Sequence, residues 1–494
     1  MTIHPPGPAV RIHPADSVAV ALRDLAAGES ILGVAVAGPI GRGHKLALRD
    51  HAAGDTVIKY GMPIGRATRA IAAGEHVHSQ NLVTALAGEL SYVPGMREPV
   101  RAADAAPSSW QGYRRADGRA ATRNEVWILP TVGCVGMTAE QVARAAAARH
   151  AGRIDGIHGF AHPHGCSQLG DDLNGTRAAL AGLAVNPNAA GVLLLGLGCE
   201  SNQLDALVAA VPDAARHKLR VLSSQSAGDE LAAAAALIDE LVDGAATARR
   251  EPLPLGALTV GLKCGGSDGL SGLTANPLLG RFAERLAAAG GTPILTEIPE
   301  IFGAEQALLA RAVDEPTFAA AAALVNRFKR YYLDQGLPVS DNPSPGNLAG
   351  GITTLEEKSL GAVQKAGQAP LHAAIDYGEQ APTGGLVLLE SPGNDAVSST
   401  ALAAAGATLI LFTTGRGTPL GFPVPTLKVA SNHALAGAKP HWIDFDAERV
   451  FEEGAEGVDA AFLAAVLDHA GGRETAAERA GQRAIAIWKR GVTL

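Results

Sequence analysis

The sequence predicts an α/β protein with a small N-terminal β-rich domain followed by two α/β domains with mainly parallel sheets. Turn-like glycines recur in residues 1–87, and apolar runs of strand length alternate with Ala-rich helical stretches from Tyr113 onward. Many of these runs end in Gly-containing loops that open helices. At 494 residues the chain is too long for one core, so several domains are expected.

The first domain is expected over residues 1–87. DLAAGESI, DHAAGDTV and AIAAGEHV share the frame AAG, acidic residue, any residue, β-branched residue. Gly28, Gly54 and Gly74 suit chain reversals with positive φ, and the residues after them alternate as a strand would. Because the units are short and unevenly spaced, they favour a compact module over a solenoid.

Two breaks divide the rest of the chain. Residues 88–112 carry three prolines and small polar residues without periodicity, which predicts a linker. A charged, Pro-containing break, ARREPLPLG, separates a second domain over 113–250 from a C-terminal domain over 251–494.

Composition excludes several classes of protein. The net charge is −8 and no Lys/Arg stripe with interleaved aromatics occurs, so a nucleic-acid partner is not expected. The longest apolar runs are too short to cross a bilayer, and the N-terminus lacks the pattern of a signal peptide. Four cysteines do not make a disulfide framework, so we expect a cytoplasmic protein.

Strand-end loops are the main indication of a ligand site. In open α/β sheets, ligands bind beyond the carboxyl ends of the strands, where helix N-termini and loop amides converge. We therefore expect one anion-binding rim built from six segments: WILPTVGCV, VLLLGLGCESNQ, LTVGLKCGGSDG, ILTEIPEIFG, LVLLESPGNDAVSS and LILFTTGRGTP. A dinucleotide fingerprint at Gly196 and Gly198 is disfavoured because its third glycine is missing.

The cysteines have two interpretations. Cys134, Cys199 and Cys264 each lie at the mouth of an apolar run, and Cys166 lies in HPHGCSQLGDD. A free cysteine is usually a small packed hydrophobe, but thiols at loop mouths also suit soft or borderline metals. The absence of a CxxC pair disfavours structural zinc, whereas three separated cysteines are compatible with an iron–sulfur cluster that has one open iron.

Histidines also cluster in the sequence. His76 and His78 lie two apart on an expected strand, so both face one side and could bind a metal. His44 and Lys45 precede another strand, and His162 and His164 flank a proline near Cys166. Loop histidines favour function over a purely structural role.

Long segments resemble the altronate/galactarate dehydratase family of sugar-acid lyases. They include GRGHKLAL, GEHVHSQN, GCSQLGDD, GLGCESNQ, GLKCGGSDGLSGLTANPLLGRF, NPSPGNLAGGITTLEEKSLG and FTTGRGTPLGFPVPTLKVASN. The resemblance implies an N-terminal SAF-type domain and dehydration of an aldonic or aldaric acid to a 2-keto-3-deoxy acid. It also implies a requirement for Fe2+, for which Mn2+ is the expected substitute, and leaves an iron–sulfur cluster open. His164 stands where we expect an aromatic residue in many members.

Dehydration of a 2,3-dihydroxy acid needs positive charge for the developing enediolate, a base at C2 and an acid at the leaving hydroxyl. We assign His76 and His78 as iron ligands, with Cys166, Cys199 and Cys264 as the competing set. We assign proton transfer to His44 and Lys45, with Lys59 in reserve. The expected substrate-binding residues are Ser267, Asp268, Asn394, Arg416 and Lys428.

Within the family, GCSQLGDD and the chain length favour altronate over galactarate or sulfolactate as the substrate. The expected partner is thus a small sugar acid, with no nucleic acid and no membrane, and we expect a homodimer. A sugar-acid sensor is the non-enzymatic alternative. The density of protonatable and thiol groups at the expected rim disfavours it, because binding alone does not need them.

Overall fold

A computed structural model describes residues 7–94 and 108–494. The N-terminal module contains short antiparallel strands that form the sheets β1-β2-β5-β8 and β6-β7-β9 and the ribbon β3-β4. Its strands are β1 Ala9–Val10, β2 Val18–Ala21, β3 Ser30–Ile31, β4 Val34–Ala35, β5 Lys45–Ala47, β6 Thr56–Lys59, β7 Met62–Ala67, β8 His76–Val77 and β9 Leu82–Val83. Gly28, Gly54 and Gly74 all have positive φ, which confirms the turns expected from the repeated frame.

The second module is built around a parallel sheet of strand order β13-β12-β14-β15. Its elements, with the preceding ribbon, are β10 Ser109–Arg114, β11 Ala120–Ala121, β12 Glu125–Pro130, α1 Gly136–Arg149, β13 Gly156–Gly159, α2 Gly170–Val185, β14 Ala189–Gly196, α3 Leu204–Ala210, β15 Leu219–Ser223 and α4 Glu230–Ala245. Val126 and Ile128 pack with α1 and α4, whereas Trp127 and Leu129 face the opposite side of the sheet.

The C-terminal module is built around a second parallel sheet of order β19-β20-β18-β17-β21-β22-β23. Its strands are β17 Thr259–Cys264, β18 Thr292–Leu295, β19 Leu371–Ile375, β20 Leu386–Leu389, β21 Leu409–Thr414, β22 Thr426–Ala430 and β23 Phe445–Asp446, preceded by β16 Glu251–Pro254. Its helices are α5 Ala275–Ala288, α6 Glu305–Leu309, α7 Glu315–Asp334, α8 Pro345–Ala349, α9 Leu355–Ala362, α10 Asp395–Ala404, α11 His433–Ala438, α12 Val450–Ala470, interrupted at Gly454, and α13 Ala476–Arg479. A strand-rich start followed by parallel sheets with helices confirms the predicted fold class.

The two parallel sheets share one hydrophobic core. Helix α2 packs on the β12–β14 face that carries Trp127 and Leu129, and on its other side it contacts α10 of the C-terminal module. A methyl group placed on Gly182 of α2 would lie 2.5 Å from the Ala404 carbonyl oxygen. The second and C-terminal modules are therefore packed as one body rather than joined by a strand alone.

The described residues of the segment predicted to be a linker make specific contacts with other parts of the protein. Residues 95–107 lie outside the described residues, but residues 109–112 belong to β10, which pairs antiparallel with β16 at the start of the C-terminal module. On the other side, Glu89 forms an ion pair with Arg330, and Lys329 donates to the Tyr92 hydroxyl at 3.0 Å. The sequence of this segment did not predict these contacts, because their partners are distant along the chain. In the described residues, no helix is long and apolar enough to cross a membrane.

Gly74→Ala and Gly54→Ala form a matched test of the repeated frame. Both glycines have positive φ, so alanine at either position adds about 1 kcal/mol of backbone strain. At Gly54 a methyl group meets nothing within 4 Å, whereas at Gly74 it lies 1.8 Å from the Ala35 carbonyl oxygen. We expect the thermal unfolding midpoint, measured by calorimetry, to fall clearly further for Gly74→Ala. Equal decreases would contradict the packing described for this turn.

Candidate active site

Three histidines of the N-terminal module form one cluster. His44 precedes β5 and His76 begins β8, and the antiparallel pairing of these strands brings them together. His44 Nδ1 lies 3.0 Å from His76 Nε2, and His78 joins them with ring centroids 5.1 and 5.4 Å from those of His44 and His76. Each histidine offers a ring nitrogen within 4.8 Å of the other two, which is a spacing that suits a shared metal ion.

The three imidazoles are held in their neutral form. Burial, and then the neighbouring His44 and His78, lower the pKa of His76 to about 4. Burial, and then Lys45 and His44, lower the pKa of His78 to about 4, and burial followed by Lys45 also lowers the pKa of His44. Since a histidine binds a metal through a neutral ring nitrogen, this cluster has the chemistry of a ligand set for a divalent ion.

A buried carboxylate fixes the cluster to the C-terminal module. Glu357 on α9 lies 2.8 Å from Lys45 Nζ and 2.7 Å from Lys59 Nζ, and all three side chains are buried. Lys45 Nζ also donates to the Gly351 carbonyl at 2.7 Å and to Thr353 Oγ1 at 2.8 Å. Although burial favours the neutral acid, the two ammonium groups lower the pKa of Glu357 to about 2. Burial lowers the pKa of Lys45 to about 8 against the attraction of Glu357.

Glycines after β17 and after α8 allow the N-terminal and C-terminal modules to approach each other closely. A methyl group placed on Gly269 would lie 2.0 Å from the Gly43 carbonyl oxygen, and one on Gly351 would lie 2.4 Å from that oxygen. A methyl group on Gly272 would lie 2.3 Å from the Tyr60 hydroxyl. These glycines are therefore close-approach positions for the backbone just before His44 and for the turn after β6.

A cavity of about 540 Å3 lies at the carboxyl ends of the C-terminal sheet. It lies at the end of the sheet expected for an open α/β fold, where loops after β17, β18, β20 and β21 converge. Its polar and charged lining residues are Glu300, Asp341, Asn342, Ser344, Asn347, Lys358, Asn394 and Asp395. The mixture of amides, acids and an ammonium group suits a small polar ligand.

A chain of paired charges runs from one wall of this cavity to the other. Its cations and anions alternate, with the neutral thiol of Cys264 interposed, in the order Asp395, Lys263, Glu297, Lys365, Cys264, Glu300 and Lys358. Lys263 Nζ contacts the Glu297 carboxylate and lies 2.8 Å from Asp395 Oδ1. At the other end, Lys358 Nζ lies 2.8 Å from Glu300 Oε1 and 3.0 Å from Asn342 Oδ1.

The middle of this chain keeps Cys264 protonated. Burial, and then Glu297 and Glu300, raise the pKa of the Cys264 thiol to about 12. Its sulfur lies 2.8 Å from Lys365 Nζ and 3.1 Å from Glu300 Oε2. Glu297 has φ +69°, an uncommon backbone conformation for a non-glycine residue that is often found at functional sites.

Helix α8 joins the histidine cluster to the cavity. Ser344 and Asn347 line the cavity, while the backbone of Leu348 and Ala349 hydrogen bonds with His78 and His44. His78 Nδ1 also lies 2.8 Å from Thr353 Oγ1, just beyond the helix. The cluster and the cavity are thus neighbouring parts of one site formed by two modules.

Comparison with known proteins decides the family. Family models match residues 8–85 as an altronate/galactarate dehydratase SAF domain, residues 112–246 as the second domain of D-galactarate dehydratase/altronate hydrolase and residues 255–493 as the C-terminal domain of D-galactarate/altronate dehydratase. The chain belongs to the altronate/galactarate dehydratase family.

Individual members of the family match over nearly the whole chain. Altronate dehydratases from Bacillus subtilis and Escherichia coli are 46% and 47% identical, and each alignment covers 98% of this chain and 99% of the relative. Galactarate dehydratase (L-threo-forming) from Escherichia coli is 32% identical over 94% of this chain and 93% of its own length. The N-terminal module is therefore the SAF domain of this dehydratase family.

The predicted histidines lie together in the structure, whereas the predicted lysines are buried away from solvent. His44, predicted for proton transfer, lies in the same cluster as His76 and His78, so it is also a candidate ligand. Lys45 and Lys59 are buried and paired with Glu357. In this dehydratase their geometry is that of positioning groups, which hold the histidine-bearing strand.

The predicted substrate-binding residues fall in different places. Asn394 lines the cavity, where its side chain also caps α10, and exposed Arg416 lies beside the cavity-lining Gly266. Asp268 accepts hydrogen bonds from Ser271, Ser431 and Asn432, so its carboxylate is engaged within the protein.

Two further predicted residues lie off the cavity. Ser267 is buried and lines a small recess that also contains Lys59 and Glu357. Lys428 is buried in β22, its Nζ has no hydrogen-bond partner among the described residues, and burial lowers its pKa to about 8. Lys428 is not part of the cavity wall.

The structure divides the expected rim between two sheets. Cys264 is buried in the C-terminal sheet, whereas Cys166 and Cys199 are exposed at the ends of strands in the other sheet, so a site that joins the three thiols stays a prediction. For the same reason the six strand-end loops make two rims rather than one. Sequence alternation identified the strand ends but carried no information about which sheet each strand joins.

Sequence reasoning missed the charged chain around Cys264. Lys263 was the available signal, because a lysine inside the apolar strand β17 must be buried with a partner. Glu297 and Glu300 follow β18, and Lys358 and Lys365 lie on or after α9. These residues meet because of the strand order, so their spacing along the chain does not predict that they lie together.

Glu357→Gln tests the link between the two parts of the site. It leaves two buried ammonium groups without their counter-ion, so we expect the free energy of unfolding to fall by about 3–5 kcal/mol. The neighbouring Glu356 is an equally buried carboxylate that accepts from Thr84 Oγ1 and the Ala85 amide, both neutral donors. Glu356→Gln should cost about 1 kcal/mol in the same urea titration. Similar losses in the two variants would contradict the pairing role of Glu357.

Proposed function

We propose that this protein is a hydro-lyase that converts D-altronate to 2-dehydro-3-deoxy-D-gluconate and water, with ferrous iron as its metal. One observation carries the proposal: a neutral three-histidine cluster and a polar cavity meet around α8 in a chain whose full-length relatives include altronate dehydratases. The cavity is large enough for a six-carbon acid and offers both signs of charge to it.

The histidine cluster fits ferrous iron because its three donors are neutral imidazoles within 4.8 Å of one another. A divalent metal there would supply the positive charge that stabilises the enediolate formed when the C2 proton leaves. His44, His76 and His78 are the residues that would hold it.

The chain supplies the remaining contacts from the cavity. Lys358, whose pKa is raised by Glu300 against the effect of burial, remains an ammonium group that can bind the substrate carboxylate. Arg416, at the exposed edge beside Gly266, is a second candidate for that carboxylate. Asn342 and Asp395 offer oxygen acceptors to the substrate hydroxyls, and Asn394 also lines the cavity.

The activity itself is the first test. We expect anaerobic protein with Fe2+ to convert D-altronate to a 2-keto-3-deoxy acid faster than it converts galactarate or sulfolactate, with product followed by a colorimetric assay for the keto acid. Mn2+ should support the same reaction, because it accepts similar nitrogen and oxygen ligands. Faster turnover of galactarate or sulfolactate would assign a different substrate. Binding of D-altronate without product would favour the sugar-acid sensor.

The iron assignment has its own test. His76→Ala with His78→Ala should reduce the affinity for Fe2+ by more than the roughly tenfold that loss of an outer partner costs, measured by iron titration under anaerobic conditions. His13→Ala is the control, because His13 is an exposed histidine of the same module outside the cluster. Full iron content and turnover in the double variant would remove the assignment.

His44→Ala separates its two candidate roles. Loss of iron would make His44 a ligand. Retention of iron with loss of turnover would make it the base at C2.

We further propose that the protein acts in the cytoplasm, which the four free cysteines support because free thiols persist in reducing compartments. That the chain forms a homodimer stays a prediction.

A further inference from the structure

Three of the four cysteines lie at one edge of the second module. Cys134 follows β12, Cys166 follows β13 and Cys199 follows β14, and all three are exposed. The strand order β13-β12-β14 places their loops side by side at the carboxyl end of the sheet. Of the four cysteines in the chain, three lie at this edge and the fourth, Cys264, is buried elsewhere.

The three loops are tied to one another by hydrogen bonds. The Gly133 amide donates to the His164 carbonyl at 2.9 Å, next to Cys134 on one loop and two residues from Cys166 on the other. The Asn202 amide donates to the Gly165 carbonyl at 2.9 Å, which joins the loop of Cys166 to that of Cys199. The thiols are therefore carried on one cross-braced frame.

A buried carboxylate braces the same frame. Glu200 accepts from Thr131 Oγ1 at 2.5 Å and from the amides of Leu197 and Gly198 at 3.1 and 2.6 Å. These hydrogen bonds connect the turn that carries Cys199 to Thr131, just after β12. Because Glu200 uses its oxygens on these donors, it is not available as a competing metal ligand.

The nearest partners of two sulfurs are donors. Gln225 Nε2 lies 3.5 Å from Cys199 Sγ, and Ser167 Oγ lies 3.9 Å from Cys166 Sγ. Donors to sulfur stabilise thiolate ligands and tune the clusters they hold.

In the described part of the chain, the three thiols do not form the compact ligand group that a single ion requires. A single tetrahedral ion with metal–sulfur bonds of about 2.3 Å brings its sulfurs to about 3.8 Å from one another. Among the described residues, the donor groups that gather within 4.8 Å do not include these three cysteines. A centre containing several irons bridged by sulfide is wider than a single ion, so it can span thiols on three adjacent loops.

We propose that Cys134, Cys166 and Cys199 bind an iron–sulfur cluster through three thiolates and leave one of its irons to a ligand from outside the chain. This site is separate from the histidine cluster and goes beyond the proposed dehydration. Binding of a preassembled cluster is a ligand exchange. Three cysteine sulfurs form bonds to iron, three small thiolates leave, and each cysteine proton passes to a departing thiolate. No electron is transferred.

The test uses a synthetic four-iron, four-sulfide cluster ligated by 2-mercaptoethanol. Full-length reduced protein is incubated with it under anaerobic conditions and desalted, and bound iron, acid-labile sulfide and visible absorption are measured. We expect about four irons and four sulfides per chain in the wild type. The triple variant Cys134→Ser, Cys166→Ser, Cys199→Ser should retain at least about tenfold less sulfide.

Cys264→Ser is the matched control, because it removes one thiol away from this edge and should leave sulfide binding unchanged. His76→Ala is a second control that tests separation from the histidine cluster. The three replaced cysteines are exposed, so the triple variant should keep the wild-type thermal unfolding midpoint.

Retention of sulfide by the triple variant, or its absence from the wild type, would overturn the proposal. Iron bound without sulfide would also overturn it, because the histidine cluster accounts for iron alone. None of these measurements involves substrate, so a failure of the dehydratase assay leaves their outcome independent.

Discussion

The carboxylate of Glu357 is the interaction on which the candidate active site depends. It pairs with Lys45 and Lys59, which belong to two different sheets of the SAF domain, and it lies on a helix of the C-terminal module. Removing two ammonium groups and a carboxylate from water is costly, and only close mutual contact offsets that cost. The pairing therefore requires the two modules to pack in one relative position. That position places the histidines against Thr353 and α8.

A second balance of buried charge shapes the cavity. The cations Lys263, Lys358 and Lys365 face the anions Glu297, Glu300 and Asp395, so the group is close to neutral as a whole. Asp395 at one end, and Glu300 with Lys358 at the other, line the cavity. The interior pairs hold those ends in place, and the ends remain free to exchange a protein partner for a substrate oxygen. The site thus combines a rigid charged wall with a ligand set supplied by another module.

Much of the fold was predictable because it follows from local pattern. Apolar runs separated by Ala-rich stretches predicted parallel sheets, and the AAG frames predicted turns with positive φ. His76 and His78 were predictable as a pair since alternate residues of a strand share a face. His44 could not be joined to them from the sequence alone, because its contact depends on the pairing of β5 with β8. Strand β10 was missed for the same reason, since its partner β16 lies far along the chain.

The sequence by itself determined the residue types at the end of each strand, and hence the presence of thiols, imidazoles and glycines at loop mouths. Only the tertiary structure decided which of those ends meet. It separated Cys264 from Cys166 and Cys199 and brought Cys134 to the latter two. The physical reason is that periodicity is a property of neighbouring residues, whereas strand order results from packing and charge pairing between segments that are distant along the chain.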